Sequence, residues 1–161
     1  MPYPGGPVID KMAASGQHTY DLPLPLNDDS YNFSFSGLKS AVINLCHNAA
    51  QRGEDIVPAD LACSFQEVAL DVLVSKTIKA AKDYQVKEII VAGGVSANRG
   101  LRKKLTADSP IKVLFPPMAY CTDNAAMIAS AARVMYEHQQ FSSLDLSVKP
   151  SYDLEEESIG E

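Results

Sequence analysis

The period of the hydrophobic positions changes several times along the chain, and each change marks an element. "PGGPVIDKMAASG" predicts a turn feeding a short helix, with Pro7 at the first helical position and Gly16 at its stop. "LPLPL" (Leu22 to Leu26) is expected to be extended, because its prolines exclude a helix. "NFSFS" alternates polar and aromatic residues and reads as strand-like. "SGLKSAVINLCHNAAQRG" returns to a helical period, with Leu38, Val42, Leu45 and Ala49 on one stripe and an end near Gly53.

The longest helical pattern is "VPADLACSFQEVALDVLVSKTIKAAKDYQ", with Pro58 early in it. Apolar residues spill around its circumference in "VALDVLV", which predicts burial on more than one side. "VKEIIVAGG" predicts a buried strand ending at a Gly-Gly turn. "SANRGLRKKLTAD" predicts a helix starting at Ser96 or Asn98. "IKVLFPP" predicts a second strand, stopped by Pro116 and Pro117, and "TDNAAMIASAARVMYEHQQ" a last helix. Strand, helix, strand and helix joined by short connections imply an α/β fold with a parallel or mixed sheet flanked by helices. "LDLSVKPSYDLEEESIGE" is expected to be an extended tail, with residues 149–161 flexible and acidic.

Composition narrows the classes of function. A chain of 161 residues suits one domain or one lobe, and 46% hydrophobic with 21% charged residues is a globular composition. A net charge of −6 argues against a self-sufficient nucleic-acid binder, which needs clustered Lys and Arg. Part of that acidity lies in the tail, from Asp153 to Ser158. "MPYPGGPV" lacks the basic and apolar regions of a signal peptide, and no apolar run approaches the roughly 18 residues of a membrane span. Cys46, Cys63 and Cys121 are odd in number and widely spaced, so a reducing, cytoplasmic setting is expected. "NFS" at Asn32 matches a glycosylation sequon, which means little without secretion. A Pro-Gly-Gly-Pro opening is expected to be the interior of a longer protein, with Met1 added.

Four stretches could carry chemistry, and each has a plainer alternative. In "IIVAGGVSANRGLR" a strand runs into Gly93-Gly94, where a ligand can approach the backbone, and the next helix start offers free N–H groups. It is equally a tight turn capped by Ser96 or Asn98. In "YPGGPVIDKMAASG", Gly6 could present its backbone and Asp10 could reach a ribose diol; alternatively Asp10 simply favours the helix dipole. In "FSFSGLKSAV", Lys39 beside Ser34, Ser36 and Gly37 could meet phosphate or be an ordinary exposed lysine beside a cap. In "AYCTDNAAMIAS", Asp123 stands at a helix start as a cap or as one arm of a metal site. His18, His47 and His138 show no paired spacing, so this chain assembles no metal site by itself. Neither the dinucleotide glycine fingerprint nor the Walker A pattern is present.

Taken together, "YPGGPVIDKMA", "FSFSGLK", "VAGGVSANRGLR" and "CTDNAAMIA" resemble, in order and spacing, the C-terminal half of the tRNA N6-adenosine threonylcarbamoyltransferase family. This is the bacterial TsaD type, formerly labelled O-sialoglycoprotein endopeptidase or glycoprotease. The resemblance runs from Pro4 to about Val148. It implies one ribonuclease-H-like lobe of the actin-like ATPase fold shared with sugar kinases and Hsp70, here residues 1–148 with a helical insertion at about 27–84 and the N-terminal lobe absent. It implies transfer of a threonylcarbamoyl group from threonylcarbamoyl-AMP to the N6 amine of an adenosine beside the tRNA anticodon. The family's nucleotide contacts (threonylcarbamoyl-AMP, ATP or ADP) fall on Gly6, Asp10 and Asn98, with Gly94 a backbone neighbour. Its metal-ligating aspartate, commonly for iron, falls on Asp123. No catalytic nucleophile or base is implied in this half.

The family's H-x-x-x-H metal ligands and first phosphate loop are not among these residues. The isolated chain is therefore expected to be inactive in transfer and to bind iron weakly or not at all, with Asp123 acting as a helix cap. The implied partners are tRNA, a catalytically inert paralogue and a small ATPase, with no membrane, and self-association of the chain is expected. The rival readings are a non-catalytic assembly partner and the lobe of a sugar-kinase-like phosphotransferase. The glycoprotease label finds no H-E-x-x-H and no nucleophile–base pair.

Overall fold

A computed structural model describes residues 4–147. The order is α1 (Gly5–Ala13), α2 (Ser36–Arg52), α3 (Pro58–Asp83), β1 (Glu88–Ile90), α4 (Arg99–Asp108), β2 (Lys112–Leu114) and α5 (Ala125–Glu137), with 3-10 turns at Gly94–Ala97 and Met118–Tyr120. The described residues divide into two compact units, with the boundary between Asp123 and Asn124. The tail expected at residues 149–161 lies outside the described residues.

In the first unit, α3 is the central element. Pro58 starts it at a position where its missing N–H costs nothing. The expected burial on more than one side is found. One side of α3 packs Leu70 and Val74 against Leu101 and Leu105 of α4; another packs Val68 against Leu38 of α2 and Leu22. The helix α2 ends, as expected, on Gly53, whose φ of +67° closes the last turn in the left-handed region.

The two strands pair in parallel, with Ile89 opposite Val113, within the parallel or mixed sheet that was expected. Ile89 is buried, and Val91, Val113 and Phe115 pack on the α3–α4 cluster. The opposite face carries Ile90, 75% exposed, and Leu114. The expectation of a buried strand is thus corrected to a half-buried one: α3 and α4 cover one face only, and alternation sends Ile90 to the other.

The strand expected in "NFSFS" does not form; residues 32–35 are irregular. The reason is Lys76 of α3, only 6% exposed. Its Nζ donates to the carbonyls of Ser30 and Asn32, at 2.9 and 2.8 Å, and pairs with Asp28 at 2.6 Å. Burying a cation demands partners, and the loop's carbonyls serve it instead of a sheet neighbour. Tyr31 adds a second tether, its hydroxyl donating to Asp83 at 2.7 Å.

The helix α1 begins at Gly5, two residues before the expected Pro7. Gly16 does follow its end, but as a point of close approach. A Cβ there would overlap the carbonyl of Ala59 at the start of α3. The segment after it runs along α3, where Asp60 accepts from the Gln17 amide and buried Ser64 accepts from Thr19 and Tyr20.

In the second unit, α5 starts after Asn124, whose Oδ1 accepts from the amides of Ala126 and Met127 at 3.1 and 3.3 Å. Asp123, expected as the cap, is exposed and does not serve this role. Asn124 is the residue directly before the first helical one, the only place from which a short side chain reaches the second and third amides.

Candidate nucleotide site

The two parallel strands end on the same side, and the turns after them build a cavity of about 650 Å³ together with the N-termini of α1 and α4. Gly6, Asp10, Gly94 and Asn98 all line it. These are the four positions singled out from sequence, drawn from two stretches more than eighty residues apart (Asp10 to Arg99 spans 89).

Each wall has a local cause. After β1 the chain turns at Gly93, whose φ of +82° favours glycine, into the 3-10 turn Gly94–Ala97. Asn98 then caps α4, its Oδ1 accepting from Leu101 N–H at 2.7 Å. That bond settles the orientation of the amide, because a backbone N–H can only donate. Asn98 Nδ2 therefore faces Gln66 of α3 and donates to its Oε1 at 2.9 Å. An amide nitrogen carries two hydrogens, so one remains for a ligand.

Asp10 sits one turn beyond Gly6 on α1 and accepts a long bond, 3.4 Å, from the Arg99 amide. So held, its carboxylate retains acceptor capacity for a pair of hydroxyls. The helix α1 has no side-chain cap. Its first-turn amides and the rim side chains Lys11 and Arg99 bias the cavity toward an anion. A Cβ built on Gly6 or on Gly94 would meet no protein atom within 4 Å. Packing does not demand glycine at either place; what their bareness preserves is open space inside the cavity.

Lys39 is not brought to this site. It lines a separate cavity with Phe35, Val42, Ile43 and Phe65, none of which borders the first. Asp123 does not line the cavity either. It is a single exposed carboxylate, and no group of three His, Cys, Asp or Glu side chains among the described residues could hold a metal. These residues therefore do not fit an iron centre. His47 pairs with Gln51 and His138 with the Val134 carbonyl. Of the thiols, Cys63 is pushed up in pKa, first by burial and then by Glu67 and Asp60, which makes it a poor nucleophile.

Gln66, Lys11, Arg99 and Met118 were not singled out from sequence. Gln66 gave no signal, since a Gln inside a long helix has no distinguishing spacing. Lys11 and Arg99 stand beside Asp10 and Asn98, and their adjacency was the available clue.

A family model described as "TsaD: tRNA N6-adenosine threonylcarbamoyltransferase" matches residues 1–130. Relatives of that name from Bacillus cereus (strain ATCC 10987 / NRS 248) and Bacillus subtilis (strain 168) are 54% and 52% identical to the chain over 160 and 159 residues. One from Halalkalibacterium halodurans is 52% identical over 159 residues. Each alignment covers 96% of this chain but 46–47% of the relative. The chain thus spans about half the length of the curated relatives it matches.

Proposed function

The chain belongs to the TsaD family of tRNA N6-adenosine threonylcarbamoyltransferases, and from that premise we propose that it supplies the adenylate-binding half of such an enzyme. The observation that carries this reading is the single cavity collecting Gly6, Asp10, Gly94 and Asn98. In the proposed role, Asp10 accepts from the ribose hydroxyls, the second Asn98 amide hydrogen meets the nucleoside, and Gly6 and Gly94 leave room for it. Lys11 and Arg99 favour the phosphate side. A helix-flanked parallel pair with the cavity beyond its carboxyl ends is compatible with one ribonuclease-H-like lobe of an actin-like fold.

The proposed reaction joins the adenosine N6 amine to the carbamoyl carbon of threonylcarbamoyl-AMP and breaks that carbon's bond to the phosphate oxygen, releasing AMP. This half orients the adenylate and supplies no nucleophile or base. Because the described residues do not fit a metal, no step is assigned to one through Asp123; iron in a whole enzyme would need further donors. The isolated chain is proposed to bind nucleotide without transferring. tRNA, an inert paralogue and a small ATPase are its proposed partners, and the cytoplasm its proposed setting. No helix among the described residues is long and apolar enough to cross a membrane. An inert assembly partner has less need of a cavity with Asp10 and Asn98 in place, which favours the transferase reading.

Calorimetry with ADP tests this on the 161-residue chain. The chain should bind, and Gly94→Ala should weaken binding without lowering stability, because the added methyl enters the cavity and not the protein. Unchanged affinity in that variant would count against the pocket, and tRNA modification by the purified chain would refute its inactivity.

A further inference from the structure

Arg102 lies one turn after Asn98 on α4 and makes contacts that the nucleotide reading does not use. Its Nε donates to the carbonyl of Ser96 at 2.6 Å, and its Nη2 donates to the carbonyl of Pro116 at 2.7 Å and to the Cys121 sulfur at 3.2 Å. The guanidinium also lies over the Phe115 ring, 5.0 Å from its centroid. The acceptors belong to two different segments. Ser96 is in the turn after β1, which gives the cavity Gly94, Val95 and Ala97; Pro116 and Cys121 bracket the segment after β2, which gives it Met118.

We propose that Arg102 is a positioning residue that holds the two strand-end turns of the nucleotide cavity at a fixed separation. It rests on the nucleotide reading of that cavity. Three features support it. Arg102 itself does not line the cavity, so it acts through the turns. Inside the turn after β1 the Ser96 hydroxyl is fully buried with no hydrogen-bond partner among the described residues, and it is the Ser96 carbonyl that takes the side-chain bond, from Arg102. Finally, a planar fork bonded at two nitrogens and stacked on a ring fixes direction as well as distance, which a lysine ammonium cannot. Cys121 is 1% exposed, so the far end of the tether is anchored in packed protein.

The test compares Arg102→Met and Arg102→Lys with Leu38→Ala, a truncation in the separate core cluster of Leu22 and Val68, which includes no residue of either turn. ADP affinity is measured by calorimetry at a temperature where all are folded, and exchange of the Ser96, Asn98, Tyr120 and Cys121 amides by NMR. Arg102→Met should weaken ADP binding by about ten- to a hundredfold, the scale of an ångström-level misplacement. It should speed exchange in both turns together, and Arg102→Lys should restore only part of either. Leu38→Ala should leave the affinity of the folded protein unchanged. If the unaltered chain binds ADP and Arg102→Met binds it equally well, or if its two turns stay as protected as before, the positioning role is overturned while the nucleotide reading stands. If the unaltered chain does not bind ADP, the nucleotide reading fails and the positioning role falls with it.

Discussion

The helix α1 borders two cavities of opposite character. Gly6 and Asp10, four residues apart, line the larger one, of about 650 Å³; Ile9 and Met12, three apart, line a second of about 380 Å³ with Val42, Cys46, Leu61 and Phe65. The first is walled by strand-end turns, helix N-termini, one carboxylate and one carboxamide. The second is walled by side chains, and Val42, Leu61 and Phe65 also pack on the cluster of Leu22, Leu38 and Val68. One helix thus separates a surface whose job is to leave space from one that belongs to the core. The first should answer to substitution in binding, the second in stability.

The largest effect should come from Leu38→Ala, beneath the apolar cavity. Leu38 is 1% exposed, and its truncation should cost about 2–5 kcal/mol in urea unfolding with ADP affinity intact. A loss of affinity as well would break the separation. Asp10→Ala should do the reverse. Losing hydrogen bonds to a charged acceptor should weaken ADP about tenfold or more, while the unfolding midpoint barely moves because only a long bond to Arg99 is lost.

A smaller effect lies outside both cavities. Asn124→Ala should destabilise α5 by about 1 kcal/mol, seen as lost helical circular dichroism, and Asp123→Ala should leave that signal unchanged. The reverse result would reinstate Asp123 as the cap.

The smallest effect is silent at neutral pH. Lys76, ahead of Ser30, holds the Asp28 carboxyl below its usual 3.8, and Lys79, ahead of Tyr31, does the same for Asp83. A carboxylate with a depressed folded pKa stabilises fully above its unfolded value and loses that contribution as pH falls through the folded one. The 28–32 loop should therefore loosen only below about pH 3.8, visible in the NMR signals of Tyr31. Asp28→Asn should loosen it at neutral pH, because Lys76 then lacks its charged partner.

The helices were legible because their signals are local. Pro58 at a first turn, Gly53 past a last one and the spill of apolar residues around α3 are each readable within a few residues. The four cavity positions were legible as glycine-rich turns and helix starts, although each had a plainer reading that spacing alone left open. Three expectations failed, two of them for reasons beyond local reach. "NFSFS" has strand alternation, but its neighbouring carbonyls are claimed by a lysine 46 residues away from Ser30. Ile90 reads as a buried strand residue, but only the opposite face has helices against it. Asp123 has the chemistry of a cap, but the helix begins one residue too late for it.

By itself, the sequence determined where the chain bends and where it coils, and the chemical inventory of the turns, because proline, glycine and hydrophobic period act over a few residues. The tertiary structure alone decided that Gly6 and Asp10 share a cavity with Gly94 and Asn98, that Gln66 accepts from Asn98, and that Arg102 bridges the turns after both strands. Those are meetings of groups distant in sequence, and they are created by burying α3 between two clusters rather than by any local preference.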